Sequence, residues 1–171
     1  MSSANNAKKC AYYGAMLALA MICGYIESLI PFDFGMPGIK LGIANIVALF
    51  ILYKNGFVQS FVINTARILL CGILFGNALS IVYSLCGGTL AVLIMWAVSK
   101  TKHFSPIGAS VAGAAAHGVG QLAAAAVVIG FNAALFYLPV LLIAGVVTGT
   151  LTGIAAVLAL KRVHAFDRLM K

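Results

Sequence analysis

Polar side chains that interrupt long apolar runs are the residues of this sequence best suited to chemistry. Asn64 and Arg67 stand three positions apart in one run, and His117 and Gln121 stand four positions apart in another. Either spacing places both members of a pair on one face of an α-helix. The guanidinium of an arginine is a planar fork of donors that matches carboxylates and phosphates. Arg67 therefore predicts the recognition of an anionic group inside the apolar region.

Further polar residues fall at a similar predicted depth in the other apolar runs. Most of them lie between the middle of a run and the end predicted to face outside, while the opposite halves are almost purely apolar. This asymmetry predicts a cavity that opens to the outside of the cell and is closed toward the inside. The predicted substrate-binding residues are Glu27, Lys40, Asn45, Asn64, Arg67, Tyr83, His117 and Gln121.

Structural roles remain open for the same residues. Glu27 is the acid placed to balance Arg67, so the two could form a purely structural ion pair. His117 could hydrogen-bond a neighbouring helix and do nothing more, and the side-chain amides could serve as hydrogen bonds between helices. The shared depth of the whole set favours a binding site over these separate explanations.

Acidic residues are too few and too scattered for much enzyme chemistry. Glu27, Asp33 and Asp167 are the only carboxylates, against eleven lysines and arginines. Prenyl transfer with Mg²⁺ needs clustered carboxylates to hold the metal against a diphosphate, and no two acids here lie within five residues of each other. No glycine-rich phosphate loop occurs, and the three dispersed histidines do not form a metal site. The sequence predicts neither an enzyme nor a bound metal or cofactor.

The elements that must carry these side chains are membrane-spanning helices. Of 171 residues, 63% are hydrophobic and 8% are charged, which is far from the balance of a soluble domain. A soluble fold of this size could not bury so much apolar surface. The long runs predict an all-α integral membrane protein, a single domain over 1–171 in the cell membrane and in contact with lipid. Its six predicted spans cover about 11–30, 39–53, 57–75, 78–99, 105–129 and 134–160.

Charges in the loops predict the orientation of these spans. With the N-terminus inside the cell, nine lysines and arginines fall in inner segments, and Lys40 alone falls in an outer one. Inner loops of membrane proteins carry an excess of basic residues. Both termini are therefore predicted to be cytoplasmic. The net charge of +8 is explained by the orientation of the protein in the membrane and does not indicate nucleic-acid binding.

Small residues at four-residue spacing indicate close contacts between helices. Gly145, Gly149 and Gly153 form such a ridge in the sixth span, where packing within the bundle is the simpler interpretation. Ala11 and Ala15 form another at the inner end of the first span, where a partner on the cytoplasmic side could dock. We predict Ala11 and Ala15 as partner-binding residues.

Several motifs resemble those of one known family. The run PGIKLGIANIV at 37–47 looks like its signature, and it follows ESLIP at 27–31. Similar short stretches follow in order at 67–68, 84–88, 105–108, 113–117, 120–121 and 139–141. The resemblance covers about 11–160 and is to the Gx transporter family, also labelled heptaprenyl diphosphate synthase component I. The chain departs from the family pattern at Gly118, where the family has asparagine after the histidine.

That family is related to the substrate-binding S components of energy-coupling factor (ECF) transporters. The resemblance implies a six-helix membrane protein that captures a small anionic or amphipathic molecule from outside the cell. It also implies a transmembrane coupling subunit, which Ala11 and Ala15 would contact, and two cytoplasmic ATPases. The other family label implies an alternative function, a non-catalytic membrane accessory subunit of a heptaprenyl or polyprenyl diphosphate synthase.

Overall fold

The protein is built from helices packed around a short central one. The structure is a computed structural model and describes residues 2–29, 42–101 and 103–169. The described residues contain no strand. They form six α-helices: α1 (Ser2–Leu29), α2 (Asn45–Asn55), α3 (Phe57–Phe75), α4 (Ala78–Lys100), α5 (Pro106–Ile129) and α6 (Phe131–Leu169).

Five of the six helices, all except α2, are long and apolar enough to cross a membrane. Each corresponds to one of the predicted spans, and the class of helical membrane protein is confirmed. Two of them are longer than predicted, because α1 begins at Ser2 instead of near Ala11 and α6 ends at Leu169 instead of near Leu160. These additions carry the polar and basic residues that flank the apolar runs.

The second predicted span is only partly helical. A helix was predicted over about 39–53, but α2 begins at Asn45, and positions 43–44 form a turn before it. Gly42 has φ +81°, a left-handed conformation that does not continue a right-handed helix. The 11 residues of α2 measure about 16 Å, roughly half the thickness of a bilayer's hydrocarbon core.

The short helix α2 is the centre of the bundle. It packs against each of the other five helices. Val47 to Leu52 are all buried in it, and Leu49 and Ile51 are completely inaccessible. Such an element is apolar on every face, as expected for a helix surrounded by protein. The five long helices therefore shield α2, and its first residue is held deep within the protein.

Glycines bring α4, α5 and α6 into close contact. A methyl group at Gly149 would lie 2.7 Å from the Cα of Val111, and one at Gly153 would lie 2.9 Å from the Cα of Ile107. Only glycine permits backbones to approach this closely. The prediction that the ridge on the sixth span packs within the bundle is confirmed, since it lies against α5.

The first helix is attached more loosely. It packs on α2 and α3, and the described residues of α1 and α6 do not pack directly on each other. Near its N-terminal end, the Tyr12 hydroxyl donates a 2.9 Å hydrogen bond to Oδ1 of Asn55, at the end of α2. Ala11 and Ala15 are exposed on the opposite side, and a methyl group at Gly14 would meet no atom within 4 Å.

Candidate functional site

Glu27 anchors the turn that precedes the central helix. It is buried near the end of α1, and its Oε1 accepts hydrogen bonds from the backbone N–H groups of Gly42 and Ile43, the latter at 3.2 Å. Its other oxygen, Oε2, has no hydrogen-bond partner in the described part of the chain. The carboxylate thus fixes the start of α2 with one oxygen and leaves the second available.

Asn45 is the first residue of α2 and is buried. Its side chain is 4% exposed, yet neither Oδ1 nor Nδ2 has a hydrogen-bond partner among the described residues. A methyl group at Gly42 would lie 2.7 Å from the Nδ2 atom of Asn45 and 3.6 Å from Cδ2 of His117. The turn before α2 therefore brings Asn45 close to His117.

Arg67 lies near the middle of α3 and is 3% exposed. Its Nη2 donates a 2.9 Å hydrogen bond to Oδ1 of Asn64, one turn earlier on the same face as predicted. Nη1 points toward α1, where a methyl group at Gly24 would lie 3.7 Å away. The Nε–H group has no partner among the described residues. The guanidinium is therefore only partly satisfied by the protein.

A direct ion pair between Arg67 and Glu27 is not formed. Arg67 bonds to Asn64, and within the described residues the side chains of Arg67 and Glu27 share no hydrogen bond. Glu27 is bonded to backbone N–H groups instead. Each of the two side chains thus keeps one polar atom without a partner among the described residues.

Two consecutive glycines of α4 complete the site. A methyl group at Gly87 would lie 2.7 Å from Cγ of Gln121 and 3.3 Å from Cε1 of His117. At Gly88 it would lie 2.8 Å from Nδ2 of Asn64. These glycines let polar side chains from α3 and α5 reach the surface of α4. They were not predicted as site residues, although a glycine pair inside an apolar helix is a signal of close approach.

The structure brings six of the eight predicted residues into one region, which we call the polar cluster. Its members are contributed by four helices, α1, α2, α3 and α5: Glu27, Asn45, Asn64, Arg67, His117 and Gln121. The ring of Tyr83 packs in an apolar cluster with Leu122 and Leu141. Lys40 lies outside the described residues. Ser84, buried one turn before Gly88, was not among the predicted site residues, and its hydroxyl has no partner among the described residues.

The polar cluster offers donors and acceptors together. Arg67 Nε and Asn45 Nδ2 are donors, and Glu27 Oε2 and Asn45 Oδ1 are acceptors, all without a partner among the described residues. Each such buried group costs about 1–3 kcal/mol when left unsatisfied. A ligand or water that accepts and donates would recover this free energy. The described residues contain no group of three or more His, Cys, Asp or Glu that could hold a metal.

The fold and the polar cluster define a multi-helix membrane protein with a buried hydrogen-bonding site. The family model for heptaprenyl diphosphate synthase component I matches residues 16–159. The chain belongs to this family, as the motifs at 37–47 and beyond predicted. Comparison with curated proteins and with solved structures gave no match.

Proposed function

We propose that this protein is a membrane substrate-binding subunit that captures a small molecule at the polar cluster. The observation that carries the proposal is the set of unpartnered donors and acceptors on buried side chains. Polar groups within a membrane protein are costly, and they are retained where they pair with one another or bind a ligand. Here Glu27, Asn45 and Arg67 bring such groups together from three helices, and each keeps at least one polar atom without a partner among the described residues.

In this proposal, partner subunits drive the transport of the bound molecule into the cell. In the proposed arrangement the chain acts like an S component of an ECF transporter, with a transmembrane coupling subunit and two ATPases. Ala11 and Ala15 are exposed on the face of α1 that turns away from the bundle, and this supports their proposed role in docking. Small side chains allow the close backbone contact on which helix association in membranes depends.

A second candidate is a non-catalytic accessory subunit of a heptaprenyl or polyprenyl diphosphate synthase. The name of the family to which the chain belongs favours it. Only three carboxylates occur in the chain, so the metal-dependent transfer itself would fall to a soluble partner. Under this alternative, the polar cluster would hold a lipid intermediate and no transport would follow.

One experiment separates the two candidates. The protein is purified in mild detergent from its native host, and the co-purifying proteins and small molecules are both identified by mass spectrometry. ATPase subunits and a small molecule that is lost on Asn45→Leu support the transporter subunit. A soluble prenyltransferase in place of the ATPases supports the accessory subunit. Retention of every small molecule in Asn45→Leu contradicts a binding role for the polar cluster.

A further inference from the structure

An apolar crevice lies beside the polar cluster, between α1 and α6. Its volume is about 310 Å³, and α2 forms its floor. It exists because α1 and α6 each pack on α2 but not on each other along their described lengths. All the side chains that line it are apolar apart from the thiol of Cys23.

The crevice begins where the polar cluster ends. Cys23 lines it one helical turn from Glu27, and Ile46 lines it directly after Asn45. From Cys23 the crevice continues along α1 to Met16, a distance of about 10 Å at 1.5 Å per residue.

The size of the crevice limits its occupant. The crevice runs about 10 Å along α1, and a single flexible apolar chain of that length fits along it. A bilayer lipid keeps its headgroup at the membrane surface, but Arg67 lies near the middle of α3. A captured molecule can place its polar end at that depth.

We propose that the ligand is amphipathic, with a polar head that both accepts and donates hydrogen bonds in the polar cluster and one apolar tail in the α1–α6 crevice. This inference rests on the proposed binding function and specifies its ligand class. A phosphate monoester is a suitable head, since its oxygens accept from Arg67 and Asn45 and its hydroxyl can donate to Oε2 of Glu27. When the tail enters the crevice, its contacts with lipid are replaced by contacts with the apolar side chains of the crevice walls.

The test uses ethyl, butyl and hexyl monophosphate as probes, with the protein in phosphatidylcholine nanodiscs and binding followed by calorimetry. Burial of one methylene group contributes about 0.8 kcal/mol, so the affinity should rise by up to about fourfold for each one added. Ala159 is exposed and lines the crevice. Ala159→Phe should abolish this rise and leave the affinity for ethyl phosphate unchanged, and Ala159→Leu should reduce the rise.

The matched control is Ala18→Phe, at an exposed position of α1 that does not line the crevice. This variant should bind all three probes with the same affinities as the unmodified protein. A rise in affinity that is seen in Ala18→Phe but not in Ala159→Phe cannot be caused by partition of the probes into the bilayer. Equal affinities for the three probes, or a rise that persists in Ala159→Phe, would overturn the tail site and leave the proposed function standing. Absence of binding by all three would overturn the phosphate-like head. The proposed function itself fails only if the co-purified molecule is indifferent to Asn45→Leu.

Discussion

Individual buried polar groups carry the functional argument for this protein. Glu27, Asn45 and Arg67 are each almost fully buried, and each keeps at least one polar atom without a partner among the described residues. A structural role would predict that they satisfy one another. They do not, since Glu27 Oε2, Arg67 Nε and both polar atoms of the Asn45 side chain have no partner in the described part of the chain. The proposed ligand would complete their pairing.

Arg67→Gln should weaken ligand binding while the protein still inserts and folds. The change removes the charge but keeps an amide able to bond Asn64, so the expected loss is about 2 kcal/mol or more, the scale of a charge-assisted hydrogen bond. Binding of the co-purified molecule, measured on the purified protein, checks this. Lys100→Gln, which removes an exposed positive charge at the end of α4, should leave affinity unchanged.

The competing explanation for Arg67 is purely structural and makes a different prediction. If Arg67 only balances Glu27, Arg67→Gln would chiefly lower thermal stability. The double variant with Glu27→Gln would then restore stability, and ligand affinity would be normal throughout. Observing that rescue together with normal affinity would show that the polar cluster is not a binding site.

At the scale of residues, the sequence predicted which residues belong to the polar cluster better than it predicted the hydrogen bonds that they form. Polar side chains in apolar runs must be buried or paired, so their types and positions could be recognised in advance. Their contacts depend on backbone geometry that the pattern does not encode. Oε1 of Glu27 bonds to the turn at Gly42 because that glycine adopts a left-handed conformation, whereas the helical interpretation of 39–53 left no turn there.

Among the elements, α2 departs most from its predicted form. Its hydrophobicity predicted a membrane span, and hydrophobicity alone does not distinguish a helix that faces lipid from one that is surrounded by protein. The length of α2 and its burial on all sides identify it as the centre of the bundle. Packing of the five long helices around it could not be predicted, since one sequence does not reveal which apolar faces meet.

The glycine contact between α4 and α5 should be essential for stability. A methyl group at Gly120 would lie 2.7 Å from the carbonyl oxygen of Cys86 and 2.9 Å from Cα of Gly87, both backbone atoms that cannot move aside alone. Gly120→Ala should therefore lower the free energy of unfolding by about 1–3 kcal/mol. A thermal unfolding assay in detergent measures it. Gly14→Ala, where the added methyl meets open space, should be neutral or slightly stabilising.

The exposed ridge on α1 should bind the partner and not the ligand. Ala15→Leu enlarges an exposed side chain, so the isolated protein should fold and bind its ligand normally. Uptake by cells that express the whole transporter should fall, because the bulky residue keeps the coupling helix at a distance. Ala133→Leu, at an exposed position of α6, is the matched control and should leave uptake unchanged. Loss of folding in Ala15→Leu alone would show that the ridge packs internally.

For the whole molecule, the orientation in the membrane remains a prediction from charge. Tyr13 and Met16 of α1 and Leu160 and Val163 of α6 pack against the same core cluster, so those parts of the two helices lie at the same end of the bundle. This arrangement is expected of a chain that crosses the membrane an even number of times. Nine basic residues fall in segments predicted to face the cytoplasm, and basic residues there resist transfer across the membrane.

Both termini should therefore be shielded from reagents outside intact cells. In a variant whose four native cysteines are replaced by alanine, a cysteine at Lys171 should react with a membrane-impermeant maleimide only after the cells are opened. A cysteine at Lys40, the basic residue predicted to face outside, should react in intact cells and serves as the positive control. Labelling of the Lys171→Cys protein in intact cells would contradict the cytoplasmic C-terminus. The cavity predicted to open to the outside would then have to be assigned to the opposite side of the membrane. The positions of the charges and of the polar cluster along the helices are fixed together by the sequence.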